Sequence, residues 1–267
     1  MKFEVRMTDV ILEAKGIQKA FGGVMAVAGV DLTIRRGEIF ALIGPNGAGK
    51  TTTFNLLSGT HPLDRGQIVF DGQPIHGLPA HRIAARGLVR TFQNLQIFNA
   101  MTVLENVMVG RHLRTRTGFL SSALRLPGVA AEERLTRARA LEFLAMVGLE
   151  ATADHSANSL PFGRQRLLEI ARALAAEPKL LMLDEPAAGL TRPEIEALDG
   201  LIGRIRDGGL TVLLVEHDMN LVMGIADRVT VLHYGQKIAE GTPGEVQADE
   251  RVIGAYLGVD SEVAELV

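Results

Sequence analysis

The sequence predicts an α/β fold in which helices cover a sheet of buried parallel strands. Short apolar runs at Ile39–Ile43, residues 180–183 and Thr211–Val215 have the length and composition of such strands. They alternate with segments of helical spacing, for example residues 167–175. In open α/β sheets, ligands bind just beyond the carboxyl ends of the strands. The polar residues that follow these runs are therefore the first candidates for a site.

The other predicted elements divide the chain into three segments. Residues 10–92 are rich in strands: residues 10–15, a strand pair within 24–34, and residues 67–70 before the turn dipeptide Asp71-Gly72. Residues 93–160 are helical over 101–113 and 130–147, with a polar loop over 114–128 and with Leu135, Leu141, Leu144 and Val147 on one helix face. Residues 161–258 return to strand–helix alternation and contain a hairpin around Tyr234-Gly235.

Composition limits the classes of function. With 267 residues, 47% of them hydrophobic, the chain suffices for one large domain or two small ones. A net charge of −3, the absence of Trp and an aromatic content of 4% give no indication of nucleic-acid binding. The absence of Cys excludes disulfides and thiolate metal sites. Because residues 1–10 lack an apolar core and no run approaches ~18 apolar residues, we expect neither a signal peptide nor a membrane-spanning helix.

Residues 44–51 read GPNGAGKT and match the pattern G-x-x-x-x-G-K-[ST] of a phosphate-binding P-loop. Gly44, Gly47 and Gly49 let the backbone turn tightly and present its N–H groups to phosphate oxygens. Lys50 reaches the β- and γ-phosphates, and the Thr51 hydroxyl is suited to ligate Mg²⁺. The loop lies between a predicted strand and a helix that starts near Lys50, whose N-terminus adds positive charge. A chance match has a probability on the order of 1%, so the motif predicts nucleotide binding.

Two carboxylates, Asp184 and Glu185, end the apolar run at residues 180–183. In P-loop NTPases an acid at this place binds Mg²⁺, directly or through water, and a second carboxylate can orient water against the γ-phosphate. By itself the pattern also fits a strand that ends in solvated charge. Its distance from the P-loop favours the catalytic interpretation.

Three further features are ambiguous from the residues alone. Gln93 follows the predicted strand at 88–91, and His217 follows Thr211–Val215, but a lone Gln or His is usually structural or solvated. Gly163 lies at the start of a helical run after Pro161. This start could bind an anion, although a plain helix start is the simpler interpretation.

Taken together, these residues resemble the ATP-binding subunit of an ABC transporter. The ordered set is Walker A (residues 44–51), the Q-loop (Gln93), the signature (residues 160–165), Walker B (residues 180–185), the D-loop (residues 188–191) and the H-loop (His217). The resemblance extends from about residue 10 to residue 258. It implies a P-loop NTPase with a RecA-like core sheet, an antiparallel β subdomain and an inserted α-helical subdomain. The implied single domain, 1–258, has its core and β subdomain at 1–92 and 161–258, its helical subdomain at 93–160, and a tail at 259–267.

Within this family the chain is most similar to the ATPase of high-affinity branched-chain amino-acid importers. The stretches that carry this similarity are residues 21–24, 90–94, 184–190, 216–219 and 255–258, together with a long insert over 111–133. Urea and short-amide importers and lipopolysaccharide exporters share much of the pattern and stay open as alternatives. So does a soluble ABC ATPase without a transporter, although a second cassette or a long coiled-coil insertion is missing. A small-substrate P-loop kinase would have no use for the signature and H-loop residues.

The resemblance implies a role for each site residue. ATP would contact the adenine-stacking Phe21 and the loop residues Gly44, Pro45, Asn46, Gly47, Ala48, Gly49, Lys50, Thr51 and Thr52. Mg²⁺ would be surrounded by Thr51, Gln93 and Asp184. Glu185 would orient or deprotonate the attacking water, His217 would contact the γ-phosphate, and Lys50 would bind it. Gly163 and Arg164 would complete the ATP site of a second subunit in a head-to-tail dimer.

Some residues depart from the family pattern. Pro161 stands where a small polar residue is usual and has neither a hydroxyl nor a backbone N–H, and Phe162 replaces a glycine. A hydrogen bond to a charged group contributes roughly 1.5–3 kcal/mol, so its loss would weaken ATP-driven dimerisation. Arg164, in place of the usual Gln, adds positive charge in partial compensation. Thr191 replaces the common Asp of the D-loop.

The implied assembly places the chain on the cytoplasmic face of a membrane. Its expected partners are a second ABC ATPase subunit, either a paralogue or a second copy, and two transmembrane permease subunits. A periplasmic or extracellular solute-binding protein would act indirectly, and no nucleic acid is expected. The groove near residues 93–110 is the candidate dock for a permease because it is dense in large apolar side chains, namely Phe92, Leu95, Ile97, Phe98 and Met101. For any one of these, ordinary core packing is the alternative.

Overall fold

The computed structural model describes residues 9–114, 129–217 and 219–257. The strands are β1 Val10–Phe21, β2 Val24–Arg35, β3 Ile39–Ile43, β4 Arg65–Phe70, β5 Gln73–Pro74, β6 Leu88–Arg90, β7 Leu180–Asp184, β8 Thr211–Val215, β9 Arg228–His233 and β10 Gln236–Gly241. The α-helices are α1 Lys50–Leu57, α2 Ala80–Ala85, α3 Val103–Gly110, α4 Val129–Met146, α5 Phe162–Ala175, α6 Arg192–Asp207, α7 Met219–Ile225, α8 Pro243–Gln247 and α9 Glu250–Leu257. The predicted tail at 259–267 and nearly all of the predicted loop at 114–128 lie outside the described residues.

A six-stranded sheet with the order β10-β9-β3-β8-β7-β6 forms the centre of the molecule. All neighbouring strands from β9 to β6 pair in parallel, and β10 closes the predicted hairpin in antiparallel pairing with β9. Strands β3, β7 and β8 are buried along their whole length. This burial explains why their sequences are continuous apolar runs.

The second sheet is antiparallel, with the order β2-β1-β4-β5. The predicted strand pair within residues 24–34 is wrong, because β2 is one strand that pairs with β1 along its length. Gly29 has φ +80° and the pairing shifts register nearby, so this segment forms an irregularity within the strand rather than a turn. Opposite it, the Gly16 N–H donates to Asp31 Oδ1 at 2.5 Å and holds the strands together.

Helices α3 and α4 lie between β6 and α5 in the chain and pack against α5 in one hydrophobic core. Thr102 caps the start of helix α3, and its side chain accepts the Glu105 N–H at 3.1 Å in a capping box. Leu144 and Val147 are buried, but Leu135, predicted to lie on the same helix face, is 58% exposed. Six residues separate Leu135 from Leu141, which is about 240° around a helix, so Leu135 lies on a different face. The exact limits of the predicted helical subdomain stay a prediction.

The sheet brings the candidate residues to one edge. The carboxyl ends of β3, β6, β7 and β8 lead into the P-loop, Gln93, Glu185 and His217, respectively. Within the described ranges, no helix is both long and apolar enough to cross a membrane.

Candidate active site

The P-loop follows β3 and has a backbone that only glycine fits at two positions. Gly44 has φ +150°, and a Cβ added there would lie 2.1 Å from the Leu232 carbonyl oxygen. Gly49 has φ +97°, and its added Cβ would lie 2.4 Å from the Ala26 carbonyl oxygen. The loop is therefore wedged between β2 and the β9–β10 hairpin. This packing leaves no room for a side chain at either glycine.

Lys50, the first residue of α1, is buried within the loop. Its Nζ donates to the carbonyl oxygens of Gly44 at 2.6 Å and Pro45 at 3.0 Å. Burial lowers the pKa of Lys50, and the Glu185 carboxylate opposes that shift. The ammonium thus lies inside the loop, where it could exchange these carbonyls for phosphate oxygens. The next residue, Thr51, is exposed on the first turn of α1.

Asp184 is the last residue of β7 and is buried. Burial raises the pKa of its carboxyl, while the Arg90 guanidinium lowers it. Arg90 Nη2 lies 3.0 Å from Asp184 Oδ2, and both side chains are almost inaccessible to solvent. The sequence singled out Asp184 but assigned Arg90 no role.

Glu185 lies among residues from two other strand ends. Gln93 Nε2 donates to Glu185 Oε2 at 3.0 Å, and His217 Nδ1 lies 3.8 Å from the same oxygen. Glu185 has φ +45°, a conformation that is uncommon for a residue with a side chain. Its N–H donates to the Val215 carbonyl at 2.9 Å, which ties this strained turn to β8. The fold therefore keeps one carboxylate in reach of an amide and an imidazole.

Phe21 is the residue predicted to stack on the adenine of ATP. Phe21 ends β1, is 44% exposed, and makes an edge-to-face contact with His61 at 5.5 Å between ring centroids. An exposed ring at this place is compatible with stacking on a base.

Gly163 in α5 is packed against another helix of the same chain. A Cβ added there would lie 2.1 Å from Glu194 Oε1, while Arg164 is exposed. Glu194 Oε2 also accepts the Thr191 N–H at 2.8 Å, so Thr191 opens α6 in a capping box. The single chain thus accounts for Thr191 structurally and leaves the role of Gly163 and Arg164 toward a second subunit a prediction.

Arg166, which sequence reasoning missed, fixes the backbone of the Q-loop. Its side chain is 2% exposed, and its guanidinium donates to the carbonyls of Phe92 and Gln93, both at 3.1 Å. Nη1 also donates to Glu169 Oε2 at 2.8 Å. The sequence does show an Arg and a Glu three residues apart in a helical run, but such a pair usually lies on the solvent-exposed face of a helix.

Glu216 is a further residue to which sequence reasoning assigned no role. It is fully buried and accepts the Ala187 N–H at 2.8 Å and the His217 N–H at 3.0 Å. The side chain thereby links the backbone just before the D-loop to the H-loop backbone. A charged residue directly after a buried strand was its only signal.

The donor chemistry at the sheet edge fits Mg²⁺. Asp184, the Thr51 hydroxyl and the Gln93 amide offer oxygen ligands, which this ion prefers. The described residues contain no cluster of three or more His, Asp or Glu able to hold a metal. Magnesium commonly binds through one or two protein ligands, phosphate oxygens and water, so this sparse set is what a nucleotide-dependent ion needs.

Comparison with known proteins gives the same fold. A family profile described as "ABC transporter" matches residues 27–188, and one described as "Branched-chain amino acid ATP-binding cassette transporter" matches residues 236–262. The high-affinity branched-chain amino acid transport ATP-binding protein BraF of Pseudomonas aeruginosa is 46% identical over 94% of this chain and 99% of its own length. LivG of Escherichia coli K12, with the same description, is 45% identical at the same coverage. The lipopolysaccharide export system ATP-binding protein LptB of that strain is 39% identical over 93% of this chain and 98% of its own length.

Solved structures agree with these relatives. An ATP-binding cassette of an ABC transporter in its ADP conformation superposes with a TM-score of 0.81 and 32% identity, over 93% of this chain and 99% of that one. A dimeric bacterial ABC transporter cassette gives 0.74 and 28%, over 87% and 99%. The predicted fold class, with its core sheet, antiparallel sheet and inserted helices, is confirmed. The chain belongs to the ABC transporter family as one of its ATP-binding cassettes.

Proposed function

We propose that this chain is the ATP-binding and ATP-hydrolysing subunit of an ABC importer for branched-chain or similar amino acids. The observation that carries the catalytic part is the position of Glu185, which Gln93 and His217 approach from neighbouring strand ends. The substrate class is supported by the relatives BraF and LivG and by the match of the C-terminal profile.

In this proposal the loop N–H groups and Lys50 bind the phosphates of ATP, and Phe21 stacks on the adenine. Asp184, Thr51 and Gln93 would hold Mg²⁺, which neutralises phosphate charge when bound. Glu185 orients the attacking water, because its carboxylate is 18% exposed and is held by the Gln93 amide. His217, which is 61% exposed, would contact the γ-phosphate. Positioning and charge supply most of what phosphoryl transfer requires.

The assembly is a head-to-tail dimer with a paralogue or a second copy, in which Gly163 and Arg164 meet the partner's nucleotide. Pro161 precedes α5 and offers only its carbonyl, which accepts the Gln165 N–H at 3.0 Å. We propose that closure is weak without the membrane partners, since Pro161 has neither a hydroxyl nor a backbone N–H to donate to the partner's γ-phosphate. Tight ATP-dependent dimerisation of isolated Glu185→Gln protein would contradict this.

A groove of about 470 Å³ beside the Q-loop is the proposed dock for a permease at the cytoplasmic face. Phe92, Ile97 and Phe98, three of the five predicted apolar residues, line it. Phe92 is 46% and Phe98 is 45% exposed, so neither is ordinary core. A solute-binding protein would act on this subunit only through the permeases.

The catalytic proposal is tested with two variants and a control. Lys50→Ala should abolish ATP binding or nearly so, whereas Glu185→Gln should bind ATP and not turn it over. Glu150→Gln, an exposed carboxylate on a short 3₁₀ turn, is the matched control and should behave as wild type. Normal hydrolysis by Glu185→Gln would remove Glu185 from the catalytic role.

The transport proposal needs the assembled complex. The ATPase co-purified with its permeases in lipid should be stimulated by a solute-binding protein loaded with leucine. Stimulation by a solute-binding protein loaded with urea would instead favour a urea or short-amide importer. Stimulation by lipopolysaccharide with an exporter's membrane subunits would favour a lipopolysaccharide exporter, for which LptB is the precedent. Normal ATPase activity and no co-purifying membrane subunit would instead indicate a non-transport ABC ATPase.

A further inference from the structure

We propose that Arg90 is a positioning residue for the magnesium site: it holds the Asp184 carboxylate in the orientation that a metal ion needs. Arg90 Nη2 donates to Asp184 Oδ2 at 3.0 Å, in a pair whose side chains are 10% and 3% exposed. This contact occupies one carboxylate oxygen and leaves Oδ1 as the oxygen for the ion or for its bound water. The inference rests on the proposed function, because it assigns a supporting residue to the same site.

The other guanidinium contacts tie Arg90 to the P-loop helix. Nη1 donates to Asn55 Oδ1 at 2.8 Å and to Ser58 Oγ at 2.9 Å, at and just beyond the end of α1. Because Thr51 lies in the first turn of the same helix, one side chain connects the elements that carry two predicted metal ligands. A planar guanidinium can bridge these acceptors at once, whereas a lysine ammonium cannot reach them with the same geometry.

Two aromatic rings limit the movement of this guanidinium. Its Cζ lies 4.8 Å from the centroid of the Phe92 ring and 5.5 Å from that of Phe54. The contacts are within the range of cation–π attraction. Phe54 is fully buried, so its ring has little freedom to move. Phe92 lines the groove proposed as the permease dock.

Charge gives a reason for the arrangement. Asp184 and Glu185 are adjacent carboxylates, and the first is buried at the end of β7. A buried carboxylate needs an opposite charge or several hydrogen bonds. Arg90, at the end of β6, supplies the opposite charge and one hydrogen bond to Oδ2, and thus holds Asp184 in place before a metal arrives.

The test measures binding rather than turnover. Displacement of a fluorescent nucleotide by ATP in EDTA gives the metal-free affinity for ATP. The same assay at fixed ATP gives the Mg²⁺ concentration at half-saturation. EPR of Mn²⁺ in the presence of ATP measures metal binding directly. Residues that support metal ligands typically change metal affinity 10–100-fold when mutated. Arg90→Met should raise the half-saturating Mg²⁺ at least tenfold and change ATP affinity in EDTA less than twofold. Arg90→Lys should fall between, and Arg82→Met, an exposed arginine of α2, should match wild type.

The outcomes are separable. A rise of fivefold or more with normal metal-free ATP binding supports the inference, and a smaller rise overturns it. Equal loss of ATP binding with and without metal also overturns it, because Arg90 would then support the whole nucleotide site. If wild-type protein and Arg82→Met bind no ATP, the proposed function itself fails. If all of these proteins bind ATP and Arg90→Met needs no more Mg²⁺ than wild type, the inference about Arg90 fails but the proposed function stands.

Discussion

Replacing Arg166 with methionine is the sharpest test of how the Q-loop is held. The change keeps an unbranched side chain in α5 but removes the donors to the Phe92 and Gln93 carbonyls and to Glu169. Both members of the Arg166–Glu169 pair are 2% exposed. The variant therefore leaves a buried carboxylate without its opposite charge and releases the backbone that positions Gln93.

The expected magnitude follows from this burial. Breaking a buried ion pair by removing one partner costs about 3–5 kcal/mol of unfolding free energy. In a chain of this size each kcal/mol lowers Tm by about 2–4 °C, so Tm should fall by roughly 6–20 °C. ATPase activity should fall as well, because Gln93 Nε2 loses its fixed approach to Glu185.

The loss should also depend on pH. Burial raises the pKa of Glu169, and the Arg166 charge opposes that shift, so Arg166→Met should raise the pKa further. A carboxyl whose pKa is raised by folding stabilises the protein below the unfolded pKa, and that stability is lost as pH rises. The difference in unfolding free energy between variant and wild type should therefore be smaller at pH 5 than at pH 8.

The assay is a double-mutant cycle with urea unfolding and ATPase activity as readouts. Arg166→Met with Glu169→Leu removes both charges and should recover most of the stability, since replacing a whole buried pair is often neutral. ATPase activity should stay low, because the Phe92 and Gln93 carbonyls still lack their donor. A cost below about 1 kcal/mol for the single variant, or full activity of the double variant, would refute the reasoning.

Three further predictions test the P-loop, a helix start and a surface contact. Gly44→Ala should fold poorly and bind no ATP, because its methyl group would lie 2.1 Å from the Leu232 carbonyl oxygen; nucleotide binding and thermal unfolding check this. Thr102→Ala should lower the unfolding free energy by about 1 kcal/mol in urea, since it removes the α3 cap. The Lys179 ammonium, with Arg36, lowers the pKa of Asp71. The stability that Asp71 contributes is therefore present above its pKa in the unfolded chain and is lost as pH falls through its pKa in the folded protein. Asp71→Asn should accordingly show a shallower loss of Tm than wild type below about pH 4, and an identical acid limb would contradict this.

The sequence by itself determined the features that depend on neighbouring residues. The spacing of the P-loop residues needs only a strand, a tight turn and a helix start, and all three are local. Strands β3, β7 and β8 were recognisable because burial on both faces requires an unbroken apolar run. Asp184 and Glu185 could be selected because they end an apolar run downstream of a P-loop. Gln93 and His217 also follow predicted strands, but only the family resemblance gave them roles.

Tertiary structure alone decided which side chains meet across that edge. Arg90 and Asp184 are 94 positions apart, and Arg166 donates to the Gln93 carbonyl 73 positions away. Spacing along the chain cannot show such a partner, because the direction of a side chain depends on the element packed against it. The single long β2 likewise depends on its pairing with β1, which continues past the irregularity at Gly29 where the sequence predicted two strands. Residues that bear a motif can thus be found locally, whereas the residues that hold them in place appear only when the chain is folded.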